Sequence, residues 1–248
     1  MRYKAITGLD DDQITHLADL LVEVMPWDPR RALDPAQAVV MTLEYLRHNI
    51  AQVVLAHHYR IAQSTVSRLI RRITPILRRR LDDFDLDDDL PATALLVDGT
   101  LIPTGHRSGR PELYSGRRHR SGMNVQVVAD LAGRVITASY PVSGSISDLE
   151  AFRAWGLTAR LDTRDTVADK GYQGTNMITP TKKPKNREPD PDRLAANRVL
   201  SGIRSAVERA IAHLKNWKIL GTGYRGRLAE LPALVRTIIR LERFRTCW

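Results

Sequence analysis

The stretch Ala94-Leu95-Leu96-Val97-Asp98-Gly99-Thr100 decides how this chain is read. Its apolar run has the length of a short buried strand, and the run ends on a carboxylate. A charge in that position is costly unless it is paired or holds a cation. The pattern recurs in Thr166-Val167-Ala168-Asp169, which is followed by Lys170-Gly171-Tyr172. Each aspartate has a glycine close by, Gly99 or Gly171, which leaves room for substrate or metal, and Lys170 adds a cation. A third acidic residue, Glu208, lies in the helical stretch Arg204-Ser205-Ala206-Val207-Glu208-Arg209-Ala210. Two strand-end carboxylates and one on a helix suit an all-oxygen magnesium site. Either aspartate alone is as readily a turn or capping residue. The conjunction of three points to metal-dependent phosphoryl transfer on nucleic acid.

Working outward, residues 122–130 alternate as a strand, Leu131-Ala132-Gly133 makes a tight turn, and 134–142 reads as the return strand. Residues 148–155 suit a helix started by Ser147 or Asp148, 165–169 a further strand, and 192–220 and 228–245 two helices. This order predicts an α/β unit with a mixed sheet and flanking helices. The segment Thr179–Pro191 is rich in proline and lysine and predicts an exposed loop. Its Lys182, Lys183 and Lys185 suit a phosphate backbone, although a plain surface loop has the same composition.

The first third reads differently. Helices are predicted over 10–24 and 35–48, separated by Met25-Pro26-Trp27-Asp28-Pro29, with Asp34-Pro35 starting the second. Residues 50–57 look helical, 59–63 look like a turn, and Ser64 is expected to cap a helix running to about Arg80. Two helices joined by such a turn form a helix-turn-helix. Gln63, Ser64, Thr65, Ser67 and Arg68 lie near the start of the second helix, where base edges are read, with Arg71 and Arg72 on its flank. A helical hairpin with a solvated basic face would show the same pattern, and the turn lacks a glycine. The acidic run Asp82–Asp89 reads as a linker, which gives an all-α DNA-binding domain over 1–88 and a catalytic domain over 89–248.

Composition agrees. Formal net charge is +10, and residues 176–248 carry all of that excess, with 16 Lys and Arg against 6 Asp and Glu. A polyanion is the natural partner of such a surface. One cysteine, Cys247, excludes an internal disulfide and fits a reducing compartment. No apolar run is long enough to span a bilayer and no secretion signal opens the chain, so a cytoplasmic, nucleoid-associated protein without membrane contact is expected. The pair His57-His58 and the separate His119 lack further ligands at zinc spacing.

The motifs in order resemble a family, the DDE transposases of bacterial insertion sequences, in the branch related to Harbinger-type elements. The resemblance covers about 95–225 and, more loosely, the helix-turn-helix. It rests on Val97-Asp98-Gly99-Thr100, Tyr114-Ser115-Gly116-Arg117-Arg118-His119-Arg120, Gly144-Ser145-Ile146-Ser147-Asp148, Ala168-Asp169-Lys170-Gly171-Tyr172 and Arg204-Ser205-Ala206-Val207-Glu208 with Lys215. The family's helix signature has Tyr, two residues, Arg, three residues, Glu, six residues, Lys. Arg204, Glu208 and Lys215 fit that spacing, and Ser201 stands where the Tyr would be.

The resemblance implies a ribonuclease-H-like catalytic fold, two magnesium ions (manganese as substitute) and DNA cleavage followed by strand transfer. Asp98, Asp169 and Glu208 would be the metal ligands, with Asp148 as a capping or supporting residue. Arg204, Lys215, Lys170 and Arg117, Arg118 and Arg120 of the Tyr114–Arg120 loop would hold phosphates. The implied partners are double-stranded DNA, both inverted-repeat element ends and target, and a second copy of the chain on that DNA. A nuclease of the same fold without strand transfer, and a non-catalytic helix-turn-helix regulator, are the rival readings.

Overall fold

The computed structural model describes residues 3–84, 90, 93–156, 161, 165–181 and 190–247. Asp85–Asp89 of the acidic run, Lys182, Lys183 and Lys185 lie outside the described residues. The chain forms two compact units, Met1–Asp85 with Leu214–Trp248, and Leu86–His213. The expected division at 88/89 therefore needs a correction at the far end, where the last helical segment joins the first unit.

In the first unit, α1 (Lys4–Thr7), α2 (Asp11–Val24), α3 (Pro35–His48), α4 (Gln52–Tyr59) and α5 (Gln63–Arg80) follow one another. α2 and α3 each begin with a reciprocal capping box, Asp10 with Gln13 and Asp34 with Gln37, which satisfies two otherwise orphaned N–H groups. Leu17 and Leu21 of α2 and Leu43 and Leu46 of α3 are buried at helical spacing. The expected Ser64 cap is corrected: α5 begins at Gln63 after Ala62, which caps it without a side-chain hydrogen bond. The Ala62 carbonyl already accepts from Thr65 and Val66, so Ser64 sits inside the helix, exposed.

The second unit is built on a sheet. It contains β1 (Leu95–Pro103), β2 (Tyr114–Ser115), β3 (Arg120–Asp130), β4 (Val135–Ala138), β5 (Val142–Ser143), α6 (Asp148–Arg153) and β6 (Thr166–Ala168), and most of α7 (Pro191–Asn216). The strand order is β2-β3-β1-β6, with β4 and β5 also paired to β3. β1 and β3 are antiparallel from Leu95↔Asp130 to Pro103↔Gly122, whereas β1 and β6 are parallel over Leu95↔Thr166 to Val97↔Ala168. Leu95, Val97 and Val128 share one face and pack with Phe152 and Tyr172, whose rings meet edge-on at 5.8 Å.

Two strand expectations are corrected. β1 runs on to Pro103, so Asp98 lies inside a strand and not at its end. The return strand is split into β4 and β5. Pro141 has no N–H to give to the ladder, and Ser139 turns its Oγ to accept from the Gln126 N–H at 2.9 Å. The turn between β3 and β4 rests on α7: Gly133 has φ +83, and a Cβ there would lie 3.0 Å from the Ala206 carbonyl oxygen.

After α7 the chain returns to the first unit as α8 (Lys218–Gly221) and α9 (Leu231–Cys247), and α9 packs against α5. The Arg240 guanidinium reaches the Arg78 carbonyl. Glu242, nearly fully buried, accepts from the Trp217 indole N–H at 2.9 Å and pairs with Arg245. The Arg47 guanidinium lies 5.2 Å from the Trp217 ring centroid. Among the described residues no helix is long and apolar enough to cross a membrane. Trp217→Ala removes a fully buried ring and leaves Glu242 short of a donor. We expect it to lower stability by about 3–5 kcal/mol in a denaturant titration.

Candidate active site

β6 ends opposite Val97, so beyond that residue one edge of β1 has no neighbouring strand among the described residues. Asp98 follows Val97 within β1 and Asp169 follows Ala168 just past β6, so the two lie side by side. At Gly99 the exposed edge is satisfied by site side chains: the Gly99 N–H donates to Asp98 Oδ1 at 2.8 Å, and Arg118 Nη2 donates to the Gly99 carbonyl at 2.7 Å. Asp169 caps the short turn Lys170–Tyr172 by accepting from the Gly171 N–H.

The space beside Gly99 is filled by a third carboxylate. A Cβ on Gly99 would lie 2.2 Å from Asp148 Oδ1. Ser147 and Glu150 form the capping box of α6, so Asp148 is free of capping duty and turns into the site. Its Oδ1 accepts from Asn124 Nδ2 at 2.9 Å, and its Oδ2 accepts from Arg117 Nη1 at 2.6 Å. The same guanidinium places Nη2 3.8 Å from Asp169 Oδ2, so one cation bridges two carboxylates. Behind Asp148 the chain of bonds continues inward: Gln126 Nε2 donates to Asn124 Oδ1 at 3.2 Å, and the fully buried Tyr172 hydroxyl donates to Gln126 Oε1. Burial, then Asp148, Asp98 and Asp169, push the Tyr172 hydroxyl far above its ordinary range, which keeps it a neutral donor.

Burial also raises the Asp98 carboxyl above its ordinary range, and Asp169 and Asp148 push the same way, against the Gly99 N–H and Arg204. Arg204 of α7 is thus within electrostatic reach of Asp98. Two buried polar atoms in this region have no hydrogen-bond partner, Arg204 Nε and the hydroxyl of Thr100, two residues beyond Asp98 on the same face of β1. A groove of about 170 Å³ opens beside Asp148, lined by Arg117, Arg118, Asn124, Ser145 and Ser147.

The predicted residues are distributed as follows. Asp98, Asp169, Arg117, Arg118 and Arg204 come together, joined by Asp148. Glu208 lies one turn beyond Arg204 on α7 and is exposed. Among the described residues no three His, Cys, Asp or Glu side chains converge closely enough to hold a metal ion. Lys170 and Arg120 are exposed, and Lys215 is half-buried. Gln63, Ser64, Arg68, Arg71 and Arg72 are exposed and Thr65 and Ser67 half-exposed. Asn124, Gln126 and Tyr172 were not singled out from the sequence. Asn124 and Gln126 stand two apart on one face of β3, which was the available signal. Asp98, Asp148 and Asp169 carry hard carboxylate oxygens of the type a divalent cation takes, and Arg117 bridges two of them.

A helix-turn-helix in one unit and a carboxylate cluster with arginines at a strand edge in the other define a DNA-processing enzyme. The model of the DDE superfamily endonucleases matches residues 97–243, and that of the helix-turn-helix of DDE superfamily endonucleases matches 31–83. The chain belongs to the DDE superfamily endonuclease family. It is 29% identical over 205 residues to a Streptomyces albus G protein named as a transposase for insertion sequence element IS112, covering 82% of this chain and 76% of that one. It is 23% identical over 250 residues to a Microchaete diplosiphon protein named as a transposase for element IS702, covering 91% and 87%. No solved structure matches the chain.

Two outcomes follow from this geometry. Gly99→Ala forces Asp148 from its place and frees Arg117 from it, and DNA cleavage is expected to fall roughly 10–100-fold, the usual effect of disturbing a residue that positions site side chains. The Asp98 carboxyl keeps its proton to higher pH in the folded than in the unfolded state, so its contribution to stability is present at low pH and is lost as pH rises through its raised pKa. Asp98→Asn keeps that contribution. Without divalent cations it is expected to melt above the parent chain at pH 7, with the difference closing as the pH is lowered.

Proposed function

We propose that the chain is a DNA transposase of an insertion sequence. It binds element ends through α4 and α5 and cuts and joins DNA at the site around Asp98 and Asp169. The single observation that carries the catalytic part is the placing of Asp98, Asp169 and Asp148 at one edge of β1 with three arginines. The strand order β4-β3-β1-β6, antiparallel except for the β1–β6 pair, supports a ribonuclease-H-like catalytic fold.

Asp98 and Asp169 would hold magnesium or manganese, with Glu208 as the third ligand on the helix that already brings Arg204 to Asp98. What bound divalent ions supply in such a site is polarisation of the attacking and leaving oxygens of an in-line displacement. The protein's own residues do the rest. Arg118 is tied to the Gly99 carbonyl and Arg117 to Asp148, so both guanidiniums stand ready for the phosphates on either side of the scissile bond. Asp148 holds them there, and the Asn124–Gln126–Tyr172 chain fixes Asp148. Arg204 offsets the repulsion among the carboxylates. No side-chain nucleophile is needed: water attacks for cleavage and a DNA 3′ hydroxyl attacks for joining. Holding two element ends together suits a homodimer on DNA, in the cytoplasm.

With a duplex carrying the repeats that flank its own gene, the full chain is expected to nick DNA in magnesium. Asp98→Ala, Asp169→Ala and Glu208→Ala should each reduce nicking to background while leaving duplex binding intact. Full cleavage by any one of the three would remove that residue from the metal-binding set, and magnesium-independent binding without cleavage by the parent chain would favour the regulator.

A further inference from the structure

The first unit contains a cleft of about 520 Å³ that plays no part in the site above. Its floor is apolar, with the buried Leu33 and Leu69 among the lining residues, and four arginines, Arg31, Arg60, Arg68 and Arg72, stand around it. None of the four makes an ion pair with a carboxylate among the described residues, although Arg30, next in the chain to Arg31, is bound by Asp28. Four guanidiniums round one hollow repel one another unless an anion lies between them.

Two details indicate that the cleft is built to hold these charges in place. The Trp27 indole N–H donates to the Leu33 carbonyl at 2.9 Å, which fixes the ring, and the Arg31 guanidinium lies 4.6 Å from the ring centroid. Stacking of this kind holds a guanidinium in a set orientation without removing its donors. Arg60 is the second detail. It ends α4 in the left-handed conformation, φ 54 and ψ 43, where glycine is the unstrained choice. An arginine there strains the turn, and its side chain lines the cleft.

We propose that this cleft grips the phosphodiester backbone of double-stranded DNA, with arginines on successive phosphates and the apolar floor against deoxyribose, beside the bases met by α5. The inference rests on the reading of α4 and α5 as a DNA-binding pair, and adds Trp27, Arg31 and Arg60 to it. It does not depend on the catalytic assignment, because a backbone grip acts on any sequence.

The test uses the full chain and a labelled random-sequence duplex, titrated across a series of salt concentrations. Each lost phosphate contact lowers the slope of log affinity against log salt by about 0.9. Arg60→Gly and Arg31→Ala are each expected to weaken binding and reduce the slope by that amount, whereas Arg30→Ala leaves it unchanged. Arg60→Gly should also melt at the same temperature as the parent chain or higher, because it relieves the left-handed strain, so weaker binding cannot be laid to a damaged fold. Unchanged slopes in Arg60→Gly and Arg31→Ala, with the parent chain binding duplex, overturn the cleft assignment alone. A parent chain that does not bind duplex overturns it together with the reading of α4 and α5.

Discussion

The Asp148 carboxylate lies where a side chain on residue 99 would otherwise project, and the arrangement of the site depends on that one close approach. From there Asp148 does two things. It takes a hydrogen bond from Asn124, which anchors it to the sheet, and it takes one from Arg117, which draws a long exposed side chain inward. Arg117 in turn brings a positive charge to Asp169. A glycine on one strand, an aspartate at the start of a helix and an arginine on a loop thus depend on each other. Without the first, the second has no place to sit, and without the second the third returns to solvent. The buried chain through Gln126 to Tyr172 gives this arrangement its rigidity, since each polar group in it answers another out of reach of water.

The site needs this rigidity because its charges oppose folding. Burial and two neighbouring carboxylates make the ionised form of Asp98 unfavourable. A protein that keeps such a group has to surround it with fixed compensation, and here that is the Gly99 N–H and Arg204. The first unit shows the same principle without chemistry attached: Glu242 is buried, but the Trp217 indole and Arg245 meet it. Around Asp98 the buried Thr100 hydroxyl and Arg204 Nε have no hydrogen-bond partner among the described residues, and near Glu242 the buried Arg47 Nη1 is in the same position.

Much of this was legible in the sequence, because it depends on neighbours in the chain. An apolar run ending on an aspartate with a glycine one or two residues on, twice, located Asp98 and Asp169. Capping residues and helical spacing located α2, α3, α4 and α5, although the start of α5 was misplaced by a serine that lies within the helix. What was not legible depends on residues meeting across space. Nothing local to Asp148 says that it lies against Gly99, forty-nine positions earlier. The docking of α9 beside α5 joins the two ends of the chain, and a division drawn along the sequence cannot represent it. The length of β1 was underestimated because a carboxylate and a glycine look like a strand end, although their backbone still pairs with β3. Glu208 was placed correctly on a helix, and the exposed setting it has there is a matter of helix rotation, to which Arg204 and Val207 respond differently from Glu208 itself.

The contact between Gly133 and α7 carries a consequence for how such sites diversify. The backbone of that turn touches the helix backbone at Ala206, two residues from both Arg204 and Glu208. The hairpin tip therefore acts as a shim that sets the height of the helix above the sheet. A side chain at Gly133 would press on the helix backbone and shift it, and Arg204 with it, by a fraction of an ångström. Spacing between charged groups in this enzyme can accordingly be adjusted from a solvent-facing turn, without altering a residue that touches DNA.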